Sequence, residues 1–210
     1  MKNLPNKLTM LRIILTIIII IILLFPFYNV GFHFPEFVVS GTNGNIIIES
    51  QYIIAGILFI IASITDFLDG YIARKYNLIT DEGKMLDAIA DKILVNSVLI
   101  ILSSNGFIHA IIPVILIIRD SIVNSIKMMA GNKGNVVAAI KIAKWKTASL
   151  MVGVVLTLFY NLPFEIWNIK VSDVLLIIAC ILSIISGVQY YYSYKDIIFS
   201  KKVEEVENKN

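Results

Sequence analysis

The chain alternates long apolar runs with short polar segments. Several runs of Ile, Leu and Val reach the ~20 residues that an α-helix needs to cross the hydrocarbon core of a bilayer. Six such helices are predicted, near residues 9–29, 51–73, 85–104, 108–130, 137–160 and 173–194. The pattern therefore predicts an all-α integral membrane protein with six transmembrane helices.

The N-terminal segment has a mixed character. Pro5 and Asn6 favour the start of a helix, with Asn6 as its cap. Leu8, Leu11 and Arg12 then share an amphipathic turn that suits the membrane surface. We expect a short N-terminal amphipathic interfacial helix before the first span. The first apolar run has no small-residue cleavage pattern, so it is interpreted as a retained span and not as a signal peptide.

The remaining polar segments define the domain organisation. Residues 30–50 contain a Gly/Asn/Ser cluster and are predicted to form a loop. Residues 1–200 are predicted to form a single membrane domain. Residues 201–210 form a charged tail, which we expect to be disordered.

Composition and charge support a membrane protein and suggest its orientation. The chain is 58% hydrophobic and 16% charged, against ~45–50% and ~25% in soluble domains. With a cytoplasmic N-terminus, every basic residue except Lys170 falls on the inner side, which places both termini and residues 66–91 in the cytoplasm. The net charge of +3 then reflects a face that attracts lipid headgroups and phosphates, not nucleic-acid binding. Cys180 is the single cysteine, so no disulfide framework exists.

Four carboxylates stand out in this apolar chain: Asp66, Asp69, Asp87 and Asp91. Spacings of three and four residues put each pair on one face of a helix. A short turn between the two helices brings the faces together. Converging carboxylates need a counter-charge, and oxygen ligands favour hard divalent cations such as Mg²⁺, Mn²⁺ or Ca²⁺. As the alternative, each could be a solvated carboxylate at a helix end.

Residues around the carboxylates suggest a phosphate-containing substrate. Gly70 and Gly83 leave room for close approach to the backbone. Arg74 supplies a planar donor that suits phosphate. Carboxylates, glycines and an arginine together indicate metal-assisted chemistry on a phosphate or pyrophosphate.

The pattern D-x2-D-G-x2-A-R-x8-G-x3-D-x3-D over residues 66–91 resembles the signature of the CDP-alcohol phosphatidyltransferase family at all eight fixed positions. The resemblance implies transfer of a phosphatidyl group from a CDP-linked lipid such as CDP-diacylglycerol to an alcohol, with release of CMP. It implies two divalent cations, Mg²⁺ or Mn²⁺, on the four aspartates, with Asp91 also the catalytic base. It further implies a homodimer. It places the CDP-lipid beside Asn6, Thr9, Asp69, Gly70, Ala73, Arg74 and Gly83.

The acceptor alcohol is suggested by two further segments. Residues 5–12 read P-N-K-L-T-M-L-R, which resembles the P-N-x-L-T-x-x-R opening of the bacterial glycerophosphate branch of that family. Arg119, Lys144 and Lys146 form a basic group that favours an anionic alcohol. We therefore expect sn-glycerol 3-phosphate as the acceptor. Phosphatidylglycerol, inositol or a phosphorylated inositol remains an alternative.

Other readings of this basic group stay open. Arg119 and Asp120 could form a structural ion pair, and the lysines could be ordinary membrane anchors on the inner side. Ala88, Asp120 and Ala143 depart from the pattern usual in the branch, where Pro, Glu and Gly often stand. These departures leave the aspartates intact but weaken the assignment of the acceptor.

A function of another class is a cation transporter with an intramembrane carboxylate site. Transport sites usually lie near the middle of the bilayer on broken helices that are paired between two halves of the chain. Pro113 could break one helix, but the sequence shows no matching break. The aspartates also lie at the ends of the predicted spans, so we favour the transferase.

Overall fold

The computed structural model describes residues 4–42, 44–76, 81–132 and 141–199. The predicted tail, 201–210, and the start of the predicted fifth helix, 137–140, lie outside these ranges. Six α-helices account for most of the described residues. They are α1 (Leu4–Leu24), α2 (Ser50–Lys75), α3 (Asp81–Ser104), α4 (Ile111–Asn132), α5 (Lys141–Leu158) and α6 (Val171–Phe199). The remaining elements are two strands, β1 (Glu36–Gly41) and β2 (Gly44–Glu49), and 3₁₀ turns at Phe27–Val30 and Phe164–Trp167.

The chain divides into two compact units. The first comprises Met1–His109 and Gly153–Asp173, and the second comprises Ala110–Val152 and Val174–Asn210. The first unit therefore holds α1, α2, α3 and the two strands. The second unit holds α4 and most of α5 and α6.

Within the part of the chain that the structure describes, three helices are long and apolar enough to cross a bilayer. Their candidate spans are Lys7–Leu24, Ser50–Ile72 and Val171–Lys195. The mostly helical fold thus agrees with a membrane protein. The helices α3, α4 and α5 each carry at least three charged residues, which shortens their uncharged stretches. The arrangement with six spans stays a prediction.

The packing of α1 explains where its polar residues lie. Thr9, Arg12, Thr16, Ile19 and Leu23 are all buried and recur every three or four residues, so they form one stripe. The other faces of α1 carry exposed Ile and Leu side chains, as expected of a helix that faces lipid. α1 packs against both α2 and α3. The polar part of the stripe therefore lies inside the first unit.

The predicted interfacial helix at the N-terminus was wrong. α1 is one continuous helix from Leu4 to Leu24, and the side chain of Arg12 is fully buried. The turn at the start of the chain resembled an amphipathic surface segment because it mixes polar and apolar residues. Thr9 and Arg12 instead belong to the buried stripe of α1.

The segment 30–50 was predicted to be a loop, and the structure corrects this. β1 and β2 pair as an antiparallel hairpin, with Phe37 opposite Ile48 and Gly41 opposite Gly44. β-Branched and aromatic residues favour such strands. The Gly/Asn/Ser cluster marks the turn of the hairpin. The hairpin is a small addition to a fold that otherwise agrees with the predicted all-α class.

The first unit also contains one close approach that depends on a glycine. A Cβ atom added to Gly56 of α2 would lie 2.6 Å from Cε2 of Phe159 and 3.3 Å from Cβ of Leu158. A real Cβ atom does not approach a ring carbon this closely in a packed interior. The absence of a side chain at Gly56 therefore lets α2 lie against the end of α5.

Candidate functional site

Three of the four aspartates converge in the first unit. Asp66 and Asp69 lie three residues apart on α2, and Asp87 lies in the N-terminal half of α3. One carboxylate oxygen from each of the three lies within 4.8 Å of the others. The helical spacing puts Asp66 and Asp69 on one face, and the placement of α3 adds Asp87 to them.

The guanidinium of Arg12 lies in the middle of this group. Its Nη1 is 2.7 Å from Oδ1 of Asp66 and 2.8 Å from Oδ1 of Asp87. Its Nη2 is 2.5 Å from Oδ2 of Asp69. Arginine suits this position because its planar fork donates in several directions at once. One cation from α1 thus pairs with carboxylates on both α2 and α3.

Burial is unequal within the site. The side chain of Arg12 is 0% exposed and that of Asp69 is 5% exposed. The side chains of Asp66 and Asp87 are 38% and 43% exposed. The Arg12–Asp69 pair therefore forms the closed end of the site, and Asp66 and Asp87 form its accessible end.

Neighbouring hydroxyl groups surround the buried pair. Thr9 Oγ1 contacts Oδ2 of Asp69 at 3.5 Å. Thr16 Oγ1 donates to the backbone oxygen of Arg12 at 2.7 Å. Among the described residues, Nε of Arg12 is buried and has no hydrogen-bond acceptor. Such a donor is costly to leave unsatisfied, so the ion pairs of the guanidinium fork must outweigh that cost.

The donor set fits a divalent metal ion. The oxygens of Asp66, Asp69 and Asp87 are the hard ligands that Mg²⁺ and Mn²⁺ prefer. They already surround a cationic group, the guanidinium of Arg12. Asp91 follows Asp87 by one turn on α3 and interacts electrostatically with Asp66. It is not a member of the group of three found among the described residues.

The residues predicted to bind the CDP-lipid lie on the same three helices. Thr9 lies beside Asp69. Gly70 follows Asp69 on α2, and Gly83 lies in the first turn of α3. The remaining three, whose side chains lie outside the described part of the chain, are Asn6 on α1 and Ala73 and Arg74 on α2.

The residues predicted to bind the acceptor lie in the second unit. Nη1 of Arg119 is 2.7 Å from Oδ1 of Asp120, and Nζ of Lys146 is 3.0 Å from the same oxygen. Asp120 therefore brings Arg119 and Lys146 together. The ion pair between Arg119 and Asp120 agrees with the structural alternative given for these two residues. Lys144 is exposed on α5.

Arg119 is fixed by α6 as well as by Asp120. Its Nε donates to the backbone oxygen of Ser183 at 3.1 Å, and its Nη2 donates to Oγ of Ser186 at 2.6 Å. A Cβ atom added to Gly187 would lie 3.1 Å from Cγ of Arg119. The small residues of α6 thus make room for this side chain.

Sequence reasoning missed the place of Arg12. The sequence pattern predicts that Arg12 lies in a turn at the membrane surface, yet it contacts three of the four motif aspartates. One signal was present. Thr9, Arg12 and Thr16 share one face of a mostly apolar helix, and polar residues in a membrane helix face the protein interior.

The helical fold and the motif at this site define a class of membrane enzyme. A family model for CDP-alcohol phosphatidyltransferase matches residues 2–185. The chain belongs to this family, and it is a membrane-bound transferase of phospholipid biosynthesis. The comparison favours this class over the cation transporter.

The chain is similar over most of its length to bacterial enzymes named CDP-diacylglycerol–glycerol-3-phosphate 3-phosphatidyltransferase. The relative from Bacillus subtilis (strain 168) is 39% identical over 191 residues, which cover 91% of this chain and 94% of the relative. The relative from Rickettsia typhi is 35% identical over 196 residues, covering 93% and 98% of the two chains. The relative from Mycoplasma genitalium is 36% identical over 174 residues, covering 82% and 69%.

Proposed function

We propose that this enzyme transfers the phosphatidyl group of CDP-diacylglycerol to sn-glycerol 3-phosphate, giving phosphatidylglycerol phosphate and CMP. The observation that carries the proposal is the meeting of Asp66, Asp69 and Asp87 on α2 and α3. These residues are part of the family signature. The choice of both substrates is supported by the names of the relatives.

We propose that Asp66, Asp69, Asp87 and Asp91 hold one or two Mg²⁺ or Mn²⁺ ions. When bound, these ions neutralise the pyrophosphate of the CDP-lipid and the charge that develops on the departing CMP. Asp66 and Asp87 suit this task because they are the more exposed of the three grouped carboxylates. Asp69 is held in place by its buried ion pair with Arg12.

In the proposed reaction, Asp91 is the general base. Its carboxylate takes the proton of the attacking hydroxyl of glycerol phosphate. The hydroxyl oxygen forms a bond to the phosphorus that carries the diacylglycerol. The bond from that phosphorus to the bridging oxygen breaks, and CMP leaves with the oxygen. The two acyl chains stay in the bilayer throughout, which accounts for a polar reaction in an apolar protein.

We propose that the nucleotide end of the CDP-lipid lies along the N-terminal part of α1 and the signature segment. The residues assigned to it are Asn6, Thr9, Asp69, Gly70, Ala73, Arg74 and Gly83. Support comes from the position of Thr9, whose hydroxyl contacts Asp69. Gly70 is the residue next to Asp69 on α2, so an approaching phosphate meets no side chain there.

The phosphate of the acceptor is assigned to Arg119, Lys144 and Lys146. Asp120 neutralises one charge of the Arg119–Lys146 pair, so the group of four keeps a net positive charge. Both long side chains are held in fixed positions by that carboxylate. Such preorganisation lowers the entropy lost when an anion binds.

The proposal extends to the setting of the enzyme. We propose a multi-pass protein of the cell membrane with six spans and one membrane domain, residues 1–200, that acts as a homodimer. Both termini and the aspartates would face the cytoplasm. This orientation follows from the distribution of basic residues and gives the site access to the soluble acceptor.

The test measures CMP release from CDP-diacylglycerol by purified protein with Mg²⁺ or Mn²⁺, with and without sn-glycerol 3-phosphate. We expect release that requires both the metal ion and glycerol phosphate and that is lost in Asp91→Asn. Release with only another alcohol, such as inositol phosphate, would retain the reaction class and overturn the proposed acceptor. No release with any alcohol would overturn the proposed reaction.

A further inference from the structure

Arg12 contacts the same aspartates to which the proposed metal ions are assigned. Its guanidinium pairs with oxygens of Asp66, Asp69 and Asp87. These are the side chains that the proposed metal site requires. The three carboxylates carry a formal charge of −3, and Arg12 reduces the sum to −2.

A divalent cation and the guanidinium make conflicting demands on these oxygens. Mg²⁺ takes oxygen ligands at about 2.0–2.1 Å and requires near-octahedral geometry. Nη1 of Arg12 is 2.7 Å and 2.8 Å from one oxygen each of Asp66 and Asp87. An ion bound to those oxygens would lie close to Nη1, and two positive charges at that distance repel strongly inside a protein.

We propose that Arg12 is a built-in counter-charge that competes with the divalent cation for the three carboxylates. The guanidinium holds α1, α2 and α3 together when no divalent cation is bound, and binding of the cation weakens its ion pairs with Asp66 and Asp87. This inference rests on the proposed metal site. It concerns the residue that controls occupancy of the site.

Burial makes this competition effective. The side chain of Arg12 is fully buried, so solvent and salt screen its ion pairs less than those at a surface. Among the described residues, Nε of Arg12 has no hydrogen-bond acceptor. The contacts with the aspartates are therefore made by Nη1 and Nη2. Removal of Arg12 would leave three close carboxylates without this cation, a repulsive arrangement that a metal ion relieves.

The experiment uses the full chain in lipid nanodiscs and two readouts that do not depend on turnover. Electron paramagnetic resonance gives the Kd for Mn²⁺, and thermal unfolding is followed in EDTA and in saturating Mn²⁺. The variants are Arg12→Met, Arg12→Lys and Lys7→Met. Lys7 is an exposed cation on the same helix, so it controls for loss of a positive charge. The variant Asp66→Asn/Asp87→Asn measures Mn²⁺ bound elsewhere.

We expect the Kd for Mn²⁺ to fall at least about tenfold in Arg12→Met, because a nearby positive charge is lost. The same variant unfolds at a lower temperature than wild type in EDTA, and Mn²⁺ raises its Tm by more than it raises that of wild type. Lys7→Met behaves like wild type. Arg12→Lys keeps the charge but loses the fork, so its Tm in EDTA falls. Its weaker ion pairs also compete less with Mn²⁺, so its Kd for Mn²⁺ falls, but by a smaller factor than in Arg12→Met.

Each contrary result has its own meaning. If wild type binds no Mn²⁺ at the aspartates, the proposed metal site and this inference both fail. If wild type binds Mn²⁺ but Arg12→Met binds it equally or more weakly, only the competition is overturned. If Arg12→Met does not fold, the Tm of Arg12→Lys tests the competition instead. A Tm below that of wild type in EDTA but equal to it in saturating Mn²⁺ supports the competition. A Tm that stays below that of wild type by the same amount in Mn²⁺ overturns it.

Discussion

Arg12 and Asp69 form the buried ion pair on which the site is built. Nη2 of Arg12 lies 2.5 Å from Oδ2 of Asp69, and their side chains are 0% and 5% exposed. The two residues are 57 positions apart in the chain, so the pair ties α1 to α2. A charged pair at this depth is stable only while both partners remain.

The first prediction separates the structural role of Asp69 from its proposed role in metal binding. Asp69→Asn keeps the side-chain shape but removes the carboxylate that pairs with buried Arg12. We expect it to lower the free energy of unfolding by about 3 kcal/mol, the low end for breaking a buried pair, because Asp66 and Asp87 still contact Arg12. Reversible unfolding in mixed micelles measures the change.

Asp66→Asn is the matched control for Asp69→Asn. Its side chain is 38% exposed, so water can replace much of the lost interaction. We expect a clearly smaller loss of stability, although both variants lose CMP release. Equal destabilisation by the two substitutions would contradict the assignment of Arg12–Asp69 as the buried anchor of the site.

The second prediction distinguishes Asp87 from Asp91 on α3. Asp87 belongs to the group of three converging carboxylates, whereas Asp91 lies one turn beyond it. We expect Asp87→Asn to raise the Kd for Mn²⁺ about tenfold or more. Asp91→Asn should raise it less while lowering kcat by about 10²–10⁴-fold, as loss of a general base does.

Metal titration and single-turnover kinetics on the same preparations check this second prediction. Saturating Mn²⁺ should restore part of the activity of Asp87→Asn and none of that of Asp91→Asn. Recovery of Asp91→Asn at high Mn²⁺ would assign Asp91 to metal binding alone.

The third prediction concerns Gly56, where α2 meets the end of α5. A methyl group at this position would overlap the ring of Phe159. We expect Gly56→Ala to destabilise the protein by about 1–3 kcal/mol, as overpacking of an interior does. Thermal unfolding of wild type, Gly56→Ala and Gly131→Ala checks this.

Gly131 is a suitable comparison for Gly56 because a Cβ atom there would meet nothing within 4 Å. It lies in α4, where alanine has the higher helix propensity, so Gly131→Ala should be neutral or slightly stabilising. In the double variant Gly56→Ala/Phe159→Leu, the smaller side chain should recover part of the loss. If Gly56→Ala unfolds like wild type, α2 does not depend on this close approach.

The aspartates could be located from the sequence because their spacing is local. Residues three or four apart on a helix share a face whatever the tertiary fold, and Asp66, Asp69 and Asp87 do converge. Helices were also predictable from long apolar runs. Their bounds shifted by a few residues, since caps and charged residues within a run blur where a helix ends.

Features that depend on distant parts of the chain were not predictable in the same way. The burial of Arg12 follows from the packing of α1 against α2 and α3, which no local pattern specifies. The hairpin depends on pairing between residues such as Phe37 and Ile48. The Gly-rich turn between the two strands, taken alone, predicts only a loop. The link from Asp120 to Lys146 spans 26 residues, so the sequence left the choice between an ion pair and a binding group open.

The last prediction tests the proposed acceptor group through Arg119. Its guanidinium is held by Asp120, Ser183 and Ser186. Arg119→Ala should raise the KM for glycerol phosphate about 10–100-fold, the loss expected when a charged hydrogen-bonding group is removed. The KM for CDP-diacylglycerol should change little.

Ser186→Ala, which removes one contact that positions Arg119, should raise the KM for glycerol phosphate by a smaller factor in the same direction. An unchanged KM for glycerol phosphate in Arg119→Ala would leave Arg119, Asp120 and Lys146 as a structural network that holds α4 to its neighbours.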